Sequence, residues 1–182
     1  MRGWGARSPG GLALFALVLL LSGPGLAEAT LGSQLKAAVV FNIAKFVEWP
    51  PGAFPSSTAP LVLGVPERDA LAEALGALDG KVVQGRPLLV KKNARLEDLK
   101  KCQVVVISDP GAAASLLSNF RGLPILTITD NLSNFAHSGG VINITEEDGK
   151  IKLQVNLGAA TRSHLTINSQ LLKLANVVGE EA

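Results

Sequence analysis

The sequence is most informative first in what it lacks. Its 182 residues include one cysteine, two histidines, two tryptophans and no tyrosine. A single cysteine, Cys102, excludes an internal disulfide, so the fold must stand on its core alone. One cysteine and two isolated histidines, His137 and His164, make no ligand-spaced zinc motif. There is no G-x-S-x-G, no P-loop and no G-x-G-x-x-G, which removes the usual sequence signals for a serine hydrolase, an NTPase and a dinucleotide enzyme. No basic patch interleaved with aromatics points to nucleic acid. No apolar run after residue 30 is long enough to cross a membrane.

What is present begins with an export pattern. Arg2 and Arg7 precede the uncharged run "GLALFALVLLLS" (11–22), and "GPGLAEA" then offers small residues for cleavage after Ala27 or Ala29. A positive start, a short apolar run and small residues predict a secretory signal peptide over residues 1–29, with a single domain over 30–182. The run is shorter than the roughly 20 residues of a spanning helix. Loss of Arg2 and Arg7 takes the formal charge from +2 to zero for cleavage after Ala27. The exported product of roughly 155 residues is one domain's worth.

Periodicity then sets the element order. Residues 34–49 predict a helix, with Leu35, Val39, Val40, Ile43, Phe46 and Val47 on its apolar face. Pro50 and Pro51 stop it. A strand over 60–66, a helix over 67–78 and strand pieces over 81–92 follow, and "LEDLKK" reads as a short helical turn. "CQVVVISD" (102–109) reads as a central parallel strand led by a buried thiol. Pro110 suits the first position of the next helix. A strand over 123–130, a hairpin over 139–157 and a closing helix over 169–178 complete the chain. Alternating strands and helices predict a single three-layer α/β/α domain, with a mostly parallel sheet, a C-terminal antiparallel hairpin and a closing helix.

Three groups of residues, and one weaker pair, are functional candidates. The ends of the parallel strands carry Glu67, Arg68, Ser108, Asp109, Thr129 and Asp130, where α/β sheets bind ligands but where such residues also cap helices. Arg162, His164 and Asn156, around "NLGAATRSH", are candidates for holding a small anionic ligand, against the alternative of a solvated pair. His137 beside Ser138 is a weak catalytic pair, because neighbours in sequence rarely form a nucleophile and its base. No catalytic residue, metal or cofactor is assigned.

The third group is the densest. Phe41, Phe46, Trp49 and Phe54 fall within fourteen residues of a chain otherwise poor in aromatics. On the helical wheel Phe46 joins the apolar face. Phe41 projects between Glu48 and Lys45, and Trp49 lies beside Asn42. Either the loop "PPGAFP" covers the two outliers, or a second subunit, a partner or a ligand does. Phe41, Lys45, Trp49 and Phe54 are therefore the candidate interface. The outer edge of the hairpin, with unpaired backbone, is a second candidate docking surface.

Five stretches in register carry a resemblance. "QLKAAVVFNIAKFVEWP", "QGRPLLVKK", "CQVVVIS", "ILTITDNLSNFAHSGGVINI" and "KIKLQVNLGAATRSHLTINSQLLKLA" resemble, in this order, the pattern of the YfiR-like proteins over about residues 33–177. The resemblance implies a periplasmic regulator, not an enzyme. It implies binding to the periplasmic part of an inner-membrane signalling protein, typically a diguanylate cyclase, with effects on cyclic-di-GMP and biofilm formation. It also implies release by an outer-membrane lipoprotein, and a homodimer. The characterised member uses internal disulfides; with Cys102 alone, redox control through an internal bridge is excluded here. The alternative reading is a periplasmic small-ligand sensor built on Arg162 and His164.

Overall fold

A computed structural model describes residues 30–179; the expected signal peptide lies outside the described residues. Helix α1 (Leu31–Ile43) is capped by Thr30, whose hydroxyl accepts the Ser33 N–H at 3.2 Å. It gives way to a single 3₁₀ turn (Ala44–Phe46) and then to strand β1 (Val47–Glu48). The predicted helix over 34–49 is thus shorter by more than a turn. The reason lies about forty residues away. The Gln84 side-chain amide donates to the carbonyls of Ala44, Lys45 and Val47 at 3.1, 3.3 and 2.8 Å, so it satisfies the helix end.

The buried face of α1 also differs from the wheel. Ser33, Ala37, Val40 and Ile43 are buried, whereas Leu35 is 54% exposed. Two of these buried residues are small, which lets the helix axis approach its neighbours closely. Burial here follows fit, not hydrophobicity alone.

Strand β2 (Leu61–Val65) leads to α2 (Ala70–Gly76), capped by Asp69. A tight hairpin joins β3 (Val82–Val83) to β4 (Arg86–Lys92) through Gln84 and Gly85, both at positive φ, as a two-residue primed turn requires. The chain continues through α3 (Leu96–Leu99), β5 (Val104–Ile107), α4 (Pro110–Phe120), β6 (Leu126–Asp130) and α5 (Phe135–Ser138). It ends with β7 (Ile142–Glu147), β8 (Lys150–Asn156), α6 (Leu157–Arg162), β9 (Thr166–Ile167), α7 (Ser169–Leu172) and β10 (Asn176–Val178).

Eight strands form one sheet in the order β10-β8-β7-β6-β5-β2-β4-β3. The neighbours β4, β2, β5, β6 and β7 run parallel; β7–β8 and β3–β4 are antiparallel. Helices cover both faces, as strand β5 shows. Val104 and Val106 enter the larger core beneath α1, α2 and α6, while Val105 and Ile107 pack against α3 and α4. All four are buried, at about 1.5–3 kcal/mol each relative to exposure. The expected α/β class with a mostly parallel sheet is therefore what the chain forms.

The closing element is a correction. The predicted helix over 169–178 is one turn, α7, after which the chain extends into β10. This strand pairs parallel with β8, Asn176 to Gln154 and Val178 to Asn156. Val177 and Val178 are β-branched, and β8 offers free backbone groups. Leu174, expected on the buried helix face, is 75% exposed. The hairpin is consequently not the sheet edge at Gln154–Asn156, because β10 occupies that position, and the expected docking edge shrinks to the start of β8.

Cys102 is buried and its thiol donates to the Asp98 carbonyl at 3.3 Å. Burial pushes its pKa up to about 11, with Lys91 opposing and Asp98 adding. The neutral thiol is thus favoured by folding. Its contribution to stability is full below pH 9 and is lost as pH rises towards 11. The native protein is expected to resist a thiol reagent at pH 8 and to react stoichiometrically once denatured. A time course of labelling checks this; rapid native labelling would show an open site.

Candidate functional site

The four aromatics lie at the rim of the larger core; all are partly buried and packed against it. Trp49 follows β1, which is fixed by antiparallel pairing of Val47 with Ile167 and Glu48 with Thr166. Its indole N–H donates to the Gln103 carbonyl at 3.2 Å. The loop after it folds back, so that Phe54 meets Trp49 edge to face, with centroids 6.0 Å apart at 74°. Gln103 holds that loop in place. Its side chain donates to the Ala53 carbonyl at 2.9 Å and accepts the Val62 N–H at 3.0 Å.

Arg86 completes the arrangement. Its guanidinium lies 3.9 Å from the Phe54 ring centroid and donates to the carbonyls of Ser56 and Ala59 at 3.0 and 2.7 Å. A groove of about 680 Å³ runs between Glu48, Trp49, Pro50, Phe54, Gln84 and Arg86. The loop thus packs Phe54 against Trp49 and itself forms part of the groove wall.

Phe41 is handled differently. Lys45 and Lys81 place their ammonium groups 4.4 and 5.7 Å from its ring centroid, and Lys45 also donates to Asn42 Oδ1 at 2.9 Å. Phe41 and Lys45 do not line the groove. The sequence grouped four residues as one surface; the fold makes a Trp49–Phe54 groove and a separate Phe41–lysine cluster. Gln84 and Arg86 belong to the region and were not singled out. The two-residue "QG" turn between β3 and β4 was the available signal.

The other candidates separate too. Asn156 is fully buried as the cap of α6: its Oδ1 accepts the Ala159 N–H at 2.9 Å and its Nδ2 donates to the Ala136 carbonyl at 3.1 Å. Its role is structural. His164 is exposed, at φ 56°, just past α6. Arg162 lines a cleft where it meets Arg121, His137 and Ser138. The Ser138 hydroxyl donates to the Phe135 carbonyl at 2.8 Å and accepts the Gly140 N–H at 3.1 Å, so its proton is directed into its own turn.

At the strand ends, the capping interpretation is the one the structure shows. The chain runs from β2 to β4 on one side and then crosses back past β2 to β5 on the other, so the crevice of a parallel sheet falls between β2 and β5. Asp69 and Asp109 fill it by capping α2 and α4, accepting from Ala72 at 2.7 Å and Gly111 at 2.8 Å. Ser108 donates to Asp69 at 2.5 Å, and Glu67 accepts the Asp109 N–H at 3.3 Å. Burial pushes the Glu67 carboxyl above its ordinary range; backbone N–H groups of Asp109, Glu67 and Ser108 oppose this, and Asp69 adds to it. Arg68 is exposed. Asp130 pairs with Lys36 of α1 at 2.8 Å, while the Thr129 hydroxyl is buried against Asn143.

Among the described residues, no helix is long and apolar enough to cross a membrane, and no group of three or more His, Cys, Asp or Glu side chains could hold a metal ion. No curated protein matches the chain. The model of one family, described as YfiR/HmsC-like (DUF4154), matches residues 33–176, from the first turn of α1 to the first residue of β10. The match takes in the whole sheet apart from the end of β10, both helical layers and the aromatic groove, and the chain belongs to the YfiR/HmsC-like family.

Proposed function

We propose that the chain is a non-enzymatic periplasmic regulator. It binds and restrains the periplasmic part of an inner-membrane signalling protein, a diguanylate cyclase, and so lowers cyclic-di-GMP and biofilm formation. An outer-membrane lipoprotein would relieve the restraint, and the working form would be a homodimer. The observation that carries this reading is the family match over residues 33–176. The aromatic rim supports it. Partly exposed Trp and Phe beside Arg are a composition enriched at protein interfaces, and hot spots concentrate in Trp and Arg.

The test uses the exported chain and the purified periplasmic domain of the cyclase from the same organism. Phe41→Ala and Lys45→Glu are each expected to weaken binding about tenfold, or 1.4 kcal/mol, while the free variants remain folded. Unchanged affinity in both would remove this surface from the interface. A collapse in melting temperature for Phe41→Ala would make that residue core.

A further inference from the structure

The cleft between α4, α5 and α6 belongs to neither aromatic feature. It encloses about 220 Å³. A water molecule's share of liquid volume is about 30 Å³, so the space suits a molecule equal to about seven waters. Its floor is apolar: Leu117 and Phe120 from α4, and Ala159 from α6. Its lining holds two arginines, Arg121 and Arg162, beside His137, with no Asp or Glu among the described residues. These three come from three separate elements, 16 and 25 residues apart in sequence, so the convergence is made by the fold.

Neither the Arg121 guanidinium nor the His137 ring has a hydrogen-bond or ion-pair partner among the described residues. Both residues are exposed, and both line the cleft. A competing explanation exists. Arg121 caps α4, and His137 and Arg162 sit in the last turns of α5 and α6, where cations offset the partial negative charge of a helix end. That charge is at most about half a unit at each helix end.

We infer that this cleft binds a small oxyanion-bearing molecule, a carboxylate or a phosphate with a short apolar body, held by Arg121 and His137 with Arg162 at its side. A guanidinium is the side chain best matched to the planar fork of a carboxylate or phosphate. The apolar floor would take the remainder of the molecule. The site is independent of the partner surface proposed above.

Calorimetric titration of the exported chain with inorganic phosphate and with sodium butyrate tests this, with sodium chloride at matched ionic strength as control. Saturable binding of either probe, weakened tenfold or more by Arg121→Ala and by His137→Ala, is the expected result; which probe binds assigns the head group. Arg121→Lys should recover only part of the affinity, because a point charge lacks the fork. Binding of neither probe, or affinity indifferent to both alanine variants, would overturn the inference. So would a fall in melting temperature in Arg121→Ala without any change in affinity, since that is what helix capping alone requires.

Discussion

Asn143→Ala is expected to destabilise the protein by about 3 kcal/mol and to free the loop between β6 and α5. Asn143 is fully buried in β7 and forms four side-chain hydrogen bonds. Its Oδ1 accepts from the Thr129 hydroxyl at 2.8 Å and from the Leu132 N–H at 3.0 Å. Its Nδ2 donates to the Leu132 carbonyl at 3.1 Å and to Gln154 Oε1 at 2.9 Å. One amide thus imitates a strand neighbour for Leu132 while tying β7 to β6 and β8. Each stranded buried group costs about 1–3 kcal/mol. The Thr129 proton has a poor substitute in the Ile142 carbonyl at 3.4 Å, so the loss falls mainly on Leu132 and Gln154. For a domain of this size the fall in melting temperature is about 10 °C. Hydrogen exchange at the Leu132 amide should accelerate more than at β5 amides. Equal acceleration throughout would mean that the bonds contribute to global stability alone.

The second large effect is expected at Gly64, in the middle of β2. A Cβ there would lie 2.7 Å from Leu99 Cδ2 and 2.8 Å from Cys102 Sγ. Both neighbours are themselves buried, so neither side chain can swing out to solvent. Helix α3 and the approach to β5 are packed directly onto the bare backbone of β2. Two effects of Gly64→Ala compete. Removing glycine from a strand gains about 0.5–1 kcal/mol, whereas overpacking costs about 1–3 kcal/mol. The overpacking wins, and a net loss of about 1–2 kcal/mol is expected by denaturant melting. Gly64→Val should lose more. Leu99→Ala in the Gly64→Ala background should cost less than Leu99→Ala alone, because the new methyl fills part of the space. Strict additivity of the two substitutions would refute the contact.

Much of this arrangement is legible from local pattern. The run "VVVI" is apolar at every position, and a strand buried on both faces must be, so β5 was evident before its partners were. The Glu-Asp-Gly turn fixed the β7–β8 hairpin, and Pro110 with Asp109 fixed the start of α4. Where the reading failed, the deciding partner was distant in sequence. The end of α1 is set by Gln84, and no pattern within 34–49 contains that amide. The conversion of 176–178 from helix to strand depends on the free edge of β8. Leu35 looked like core because it is apolar at helical spacing, but α1 buries the face that carries Ser33, Ala37, Val40 and Ile43, and Leu35 projects from the opposite side.

The candidate sites show the same division. The wheel set Phe41 and Trp49 apart from Phe46, but all three are partly buried against the same core, and Trp49 lies beyond the helix. The wheel could not show that Phe54 and Arg86 would meet Trp49 while Lys45 and Lys81 would meet Phe41. Asn156 looked available as a polar residue near Arg162, yet its two side-chain hydrogen bonds are spent on the start of α6 and on the Ala136 carbonyl of α5. The cleft lined by Arg121, His137 and Arg162 had no sequence signature, because its three nitrogen-bearing side chains come from three separate places in the chain.

The central claim, restraint of a cyclase from the periplasm, is tested most directly by cellular cyclic-di-GMP. Three strains suffice: one lacking the chain, one with the full chain restored, and one with residues 30–182 alone, which lack the expected export segment. The regulator should give several-fold higher cyclic-di-GMP in its absence, return to the parental level with the full chain, and no rescue by residues 30–182 retained inside the cell. Unchanged cyclic-di-GMP on deletion, or full rescue by the retained form, would contradict it.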